Sequence, residues 1–181
     1  MAGHAAPHSS KLTYDDYVTL PDDGRRYEIL DGELAVSASP LTGHQQVSVL
    51  LAHAMLGWVR ERGLGTVLTA PCDVILDDTT ILQPDLLFVS AARSSIITRR
   101  AIEGAPDLVV EILSDSTAAR DRGAKMKLYA RYGVARYWII DIDARTLEIH
   151  RLLAGEYVLD APYRVDAVVP CAVPPGLELR L

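Results

Sequence analysis

The period of apolar positions changes several times along the chain, and each change marks an element. Over residues 44–62, Val47, Leu50, Leu51, Met55, Trp58 and Val59 recur at three- and four-residue spacing. They share one face of a predicted helix, which Gly63 and Gly65 end. Ahead of it, Tyr27-Glu28-Ile29-Leu30 and Leu34-Ala35-Val36 flank Asp31-Gly32. That pattern predicts an N-terminal β-hairpin, because both turn positions need positive φ. Thr13 to Tyr17 predicts a short helix capped by Thr13, and Pro21-Asp22-Asp23-Gly24 a turn. After the helix, strands are expected at 66–69, 73–76 and 84–89, then a basic, poorly patterned loop with a helical turn at 91–104. Residues 107–113 are the most apolar strand candidate. A helix is expected over 118–132, weakened by Gly123 by about 1 kcal/mol relative to Ala and closed by Gly133. Strands follow at 137–141 and 146–152, with 156–159 pairing beside them. Pro170, Pro174 and Pro175 predict a last stretch that winds along the surface.

The mixture of elements implies an α/β (α+β) fold with a mixed central β-sheet flanked by helices. Residues 1–10 read as a flexible tail, with His4 and His8 outside any structured context, and 11–181 as one domain. Composition supports this: 181 residues, 49% hydrophobic and 23% charged, can bury a full core without disulfides or a structural metal. No stretch approaches about 18 uninterrupted apolar residues, which argues against a membrane span. MAGHAAPHSS has no signal-peptide pattern, and Cys72 and Cys171 form no motif, so a cytoplasmic location is expected. Zinc has no ligand cluster, and neither a nucleophile elbow nor a glycine-rich phosphate loop is present.

The net charge of −6 argues against a nucleic-acid partner, but the charge is uneven. Residues 93–136 hold nine Lys/Arg and five Asp/Glu. That segment is either a solvated helical surface or a basic wall beside an acidic site.

The informative charges lie among apolar residues. Glu111 sits inside Leu108-Val109-Val110-Glu111-Ile112-Leu113. Either it faces solvent on a half-exposed strand, or it is buried and needs a cationic partner. Asp85 opens the apolar run after Pro84, where it either bonds backbone amides or serves a site. Two such carboxylates converging at a sheet make a hard-cation site suited to Mg²⁺ or Mn²⁺. Lys125, four residues after Asp121, either forms a surface ion pair with it or reaches the strand carboxylates.

These segments together resemble the Uma2 family of restriction endonuclease-like proteins, within the PD-(D/E)xK nuclease superfamily. The resemblance is carried in order by Tyr27 to Leu34, Gly43-His44-Gln45, Gln83-Pro84-Asp85-Leu86 and Pro106 to Ser114. It continues through Asp121-Arg122-Gly123-Ala124-Lys125, Tyr129, Gly133-Val134 and Tyr137 to Asp141. It implies a restriction endonuclease-like core, with Pro84-Asp85 as the first half of the motif and Glu111 as the acid of the second, the two carboxylates binding Mg²⁺. The superfamily pattern has Lys two residues after that acid, where this chain has Leu113. The resemblance implies a lysine supplied by the adjacent helix: Lys125, with Lys127 as the fallback. Glu28 and His44 also match family positions as possible auxiliaries; for His44 a structural or capping role is the alternative.

Two functions follow. One is a Mg²⁺-dependent endonuclease acting on DNA through Asp85, Glu111 and Lys125, its basic segment contacting phosphates. The other is a catalytically inactive nuclease-fold binding or assembly module. A homodimer is compatible with either.

Overall fold

A computed structural model describes residues 11–164 and 167–180; the expected tail at 1–10 lies outside them. In chain order the elements are α1 (Tyr14–Tyr17), β1 (Arg26–Leu30), β2 (Glu33–Ser37), α2 (Thr42–Glu61), β3 (Gly65–Thr69), β4 (Val74–Asp77), β5 (Thr80–Leu82) and β6 (Leu86–Ser90). A 3-10 turn at Ala91–Ile96 leads to β7 (Ile102–Glu103) and β8 (Leu108–Ile112). Then come α3 (Ala118–Arg120), a π-helical turn (Asp121–Lys125), α4 (Met126–Arg131), β9 (Arg136–Asp141), β10 (Thr146–Leu153), β11 (Glu156–Arg164), β12 (Val168–Cys171) and β13 (Leu177–Arg180).

The strands form mixed sheets. The larger has six in the order β11-β10-β9-β8-β6-β3, and the smaller five in the order β2-β1-β5-β4-β7. In the larger sheet β8 and β9 run parallel, while β6 is antiparallel to β8. A parallel pair needs a long crossover, and here the helical stretch from α3 to α4 supplies it.

Alternation along the central strands sorts the apolar residues onto two faces. Leu86, Phe88, Leu108, Val110, Ile112, Trp138 and Ile140 pack against Leu51, Met55 and Val59 of α2. On the other face Val109, Tyr137 and Ile139 meet Leu128 and Tyr129 of α4, with Leu30 and Leu82 of the smaller sheet closing over them. Glu111 alternates with Val109, so it points to the face covered by the crossover helix. The hairpin turn has the expected positive φ, 51° at Asp31 and 88° at Gly32. Among the described residues no helix is long and apolar enough to cross a membrane.

Two expectations need correction. The C-terminal stretch does not merely wind over the surface: β12 and β13 pair antiparallel and bury Val169, Cys171, Leu177 and Leu179 in the α2-side core. The prolines fall in or beside the turn and at the strand's outward position 170, where alternation leaves the inward positions apolar. The single helix expected over 118–132 is three segments, because the π-helical turn interrupts it between Asp121 and Lys125. Such turns are frequent at functional sites.

Burial in this hairpin is testable. Leu179→Ala should lower the unfolding free energy by about 2–5 kcal/mol, read from the urea midpoint. Val168→Ala, on the outward side of the same hairpin, should change it by less than about 0.5 kcal/mol. Equal small effects would mean that the hairpin is not part of the core.

Candidate active site

Glu111 faces the crossover helix, and the π-helical turn carries Lys125 over it. The Lys125 Nζ lies 2.5 Å from Glu111 Oε1, 2.9 Å from Glu28 Oε1 and 3.7 Å from Asp121 Oδ1. All four side chains are buried. The reading of Asp121 and Lys125 as a surface ion pair therefore does not hold. Tyr129, one turn further along the helix, donates its hydroxyl to Glu111 Oε1 at 3.2 Å. Glu28 comes from β1, where its Oε1 also accepts the Gln83 N–H at 2.8 Å.

Asp85 occupies the step between β5 and β6, just ahead of the strand expected to contain it. Its Oδ2 accepts the Ile112 N–H at 2.8 Å, which ties it to β8 one residue beyond Glu111. Oδ2 also lies 3.1 Å from His44 Nε2, and Oδ1 accepts from Arg26 Nη1 at 2.8 Å. The Arg26 Nη2 group donates to the Gln83 carbonyl. His44 stands near the start of α2 as expected, but its ring is buried against Asp85 rather than serving only the helix end.

The charges respond to these contacts. Burial works against the Asp85 carboxylate, but His44, Arg26 and the Ile112 amide outweigh it and hold the carboxyl down at about 2. Burial likewise opposes the Lys125 ammonium, yet Glu111, Glu28 and Asp121 push it above its ordinary value, so it stays charged. Burial pushes Glu111 up, Lys125 opposes this only in part, and Asp121, Asp85 and Glu28 add repulsion. Asp121 is raised for the same leading reason.

A cleft of about 540 Å³ opens beside this cluster and is lined by Asp85, Glu111, Glu28, Asp121, Lys125 and Arg26, among others. Six carboxyl groups line it, the exposed Asp115 and Asp143 and the buried Asp85, Glu111, Glu28 and Asp121; the four buried ones face one ammonium and one guanidinium, so their full ionisation leaves an excess of two negative charges. Among the described residues no three His, Cys, Asp or Glu side chains form a ready metal cage. The donors that line the cleft are hard oxygens, however, and Mg²⁺ or Mn²⁺ is commonly held by one or two carboxylates with water completing the shell. Asp85 and Glu111 fit that chemistry, and a divalent cation would balance the excess charge.

Sequence reasoning placed Asp85, Glu111, Glu28, His44 and Lys125, and the structure brings all five together. Lys127 is exposed on α4. Reasoning from the sequence missed Arg26, although its position two residues before Glu28 in β1 puts both on one strand face. Part of the basic segment at 93–136 is held in ion pairs: Arg93 with Asp107, Arg122 with Glu148 and Asp141, and Arg131 with Asp31, besides Lys125 in the cluster.

A family profile described as "Uma2: Putative restriction endonuclease" matches residues 14–181. Among solved structures the chain is similar to "a putative nuclease belonging to DUF820" from Anabaena variabilis, at 20% sequence identity and a TM-score of 0.74. The match covers 92% of this chain and 94% of that one, and at this identity it speaks for the fold. No curated protein matches the chain.

Removing the ammonium should expose the cluster's repulsion. In Lys125→Met, burial and like charge act unopposed on Glu111 and Asp121, whose folded-state values are already raised. The folded variant then holds more protons than the unfolded chain, so its stability falls as pH rises. Urea midpoints should place it about 3–5 kcal/mol below wild type at pH 8, with much of that regained near pH 5. A loss independent of pH would refute this account.

Proposed function

The chain belongs to the Uma2 family, and from its cleft chemistry we propose that it is a divalent-metal-dependent endonuclease that hydrolyses phosphodiester bonds in DNA. The observation that carries the reading is Lys125. Leu113 stands where the superfamily's lysine is expected, and the buried ammonium from the neighbouring helix arrives at Glu111 instead.

In this reading Asp85 and Glu111 hold the metal. Bound there, Mg²⁺ or Mn²⁺ supplies Lewis-acid polarisation of a phosphate oxygen and lowers the pKa of a coordinated water. The rest falls to the protein. The charged Lys125 remains a donor and sets a fixed positive charge beside the phosphate as negative charge builds on its oxygens. Glu28 and the Tyr129 hydroxyl hold the ammonium and Glu111 in place. Arg26 steers Asp85 through Oδ1, while His44 and the Ile112 amide fix Oδ2, so the carboxylate needs little reorganisation. Hydrolysis breaks one P–O ester bond, adding the water oxygen to phosphorus and a proton to the leaving alkoxide.

One observation favours the inactive module instead: every carboxylate of the cluster with a partner described above is already engaged by the protein's own donors. A nicking assay separates the two. With Mg²⁺ or Mn²⁺, wild type should convert supercoiled plasmid to open circles, and Asp85→Asn and Glu111→Gln should fall to background. Lys125→Met, assayed at a pH where it is folded, should lose about 100-fold or more. Calorimetry should show that metal binding is lost in Glu111→Gln. A folded wild type that cleaves neither plasmid nor single-stranded DNA with either metal would overturn the enzyme reading and leave the binding module.

A further inference from the structure

Asp85, Arg26 and His44 form a partition. On one side lies the acid-lined cleft; on the other lies a second, larger one of about 960 Å³. The second cleft has no role in the chemistry described above, yet it shares this wall with it.

Its sides are apolar and open. Val18, just after α1, is 56% exposed, and Val49 and Leu56 on the outer face of α2 are 65% and 48% exposed. Its wall also carries fixed polar groups. Gln83 Nε2 donates to Asp73 Oδ1 at 2.7 Å and to the Tyr17 hydroxyl at 3.0 Å. Tyr17 in turn donates to Asp73 at 2.7 Å. Because Asp73 only accepts, these bonds decide which end of the Gln83 amide is nitrogen. Its Oε1 is left buried with no partner, an acceptor locked in place. His44 repeats the pattern. With Nε2–H donated to the ionised Asp85, the buried Nδ1 has no partner either. The Nε of Arg26 is a third such atom. Buried polar atoms are almost always paired, so three orphans on residues that line the larger cleft, two of which also line the acid-lined one, point to a ligand that completes them.

Apolar sides closing on locked hydrogen-bonding groups suit one kind of ligand next to a phosphate site. A nucleobase has two apolar faces to stack and an edge of donors and acceptors to be read. Resting on the nuclease reading above, we propose that the second cleft receives an unpaired nucleobase adjoining the phosphate under attack. Its faces lie against the α1 and α2 side chains, and its edge meets Gln83. Arg26, at the boundary of both clefts, stands between base and phosphate. A base stacked in a duplex cannot enter such a cleft, so the substrate is single-stranded or locally opened DNA.

Binding tests this without requiring cleavage. The probe is a single-stranded oligodeoxynucleotide of about twelve nucleotides with one central 2-aminopurine, compared with the same strand in a duplex. Ca²⁺ replaces Mg²⁺ as a hard cation with the same oxygen-ligand preference. Wild type should bind the single strand at least about tenfold more tightly than the duplex, and 2-aminopurine emission should rise as its base leaves the stack. Val49→Glu, which places a carboxylate in the cleft, should weaken single-strand binding about tenfold or more. Leu50→Glu makes the same change at an equally exposed neighbour outside the cleft, and should stay within about twofold of wild type. A preference for duplex, no binding, or equal effects of the two variants overturns the proposal. If the binding results hold while plasmid nicking fails, the base site stands and the hydrolytic reading falls. If nicking succeeds while Val49→Glu binds like wild type, the reverse is true.

Discussion

The contact on which the site depends is the buried pair of Lys125 with Glu111. A carboxylate in the middle of a strand covered on both faces is tolerated only with a partner, because an isolated buried charge is expensive. The parallel pairing of β8 with β9 supplies that partner by topology. Parallel strands require a crossover, the crossover is a helix, and that helix lies over the face to which Glu111 points. The π-helical turn, Asp121–Lys125, ends on the lysine of the pair. Fold and site are thus one arrangement: the connection that closes the sheet also delivers the ammonium.

Much of this was legible in the sequence because it was written in local patterns. The Asp31-Gly32 turn, the apolar stripe of α2 and the unbroken run around Glu111 each follow from neighbours a few residues apart. Two carboxylates in neighbouring apolar strands already pointed to Asp85 and Glu111 converging, whereas the choice of Lys125 as their partner rested on the family resemblance, since it lies in a separate segment. Spacing alone favoured a surface pair for Lys125, because an i,i+4 acid and base look the same on a buried helix face as on an exposed one.

What escaped was non-local. Arg26 reaches Asp85 across 59 positions of sequence, and within Arg25-Arg26-Tyr27 only the alternation with Glu28 separates the half-buried Arg26 from its exposed neighbour Arg25. Part of the smaller sheet was also hidden. β5 and β7 are only three and two residues long, too short for alternation to register. The final hairpin was misread because its prolines, at outward and turn positions, look like breakers until the partner strand shows that the intervening residues face the core.

Asp85 links these parts most directly. Its two oxygens are held by groups from three places: Arg26 on β1, His44 on α2 and the backbone of Ile112 on β8. The first two of these stand between the acid-lined cleft and the larger one, so the carboxylate belongs to both walls. With its carboxyl held at about 2, Asp85 remains an acceptor throughout the neutral range and keeps the orientation of its two cationic or polar neighbours. A group that enters the larger cleft and engages Arg26 or the free nitrogen of His44 therefore acts on Asp85 through the residue it contacts. The two clefts cannot be energetically independent while they share that residue.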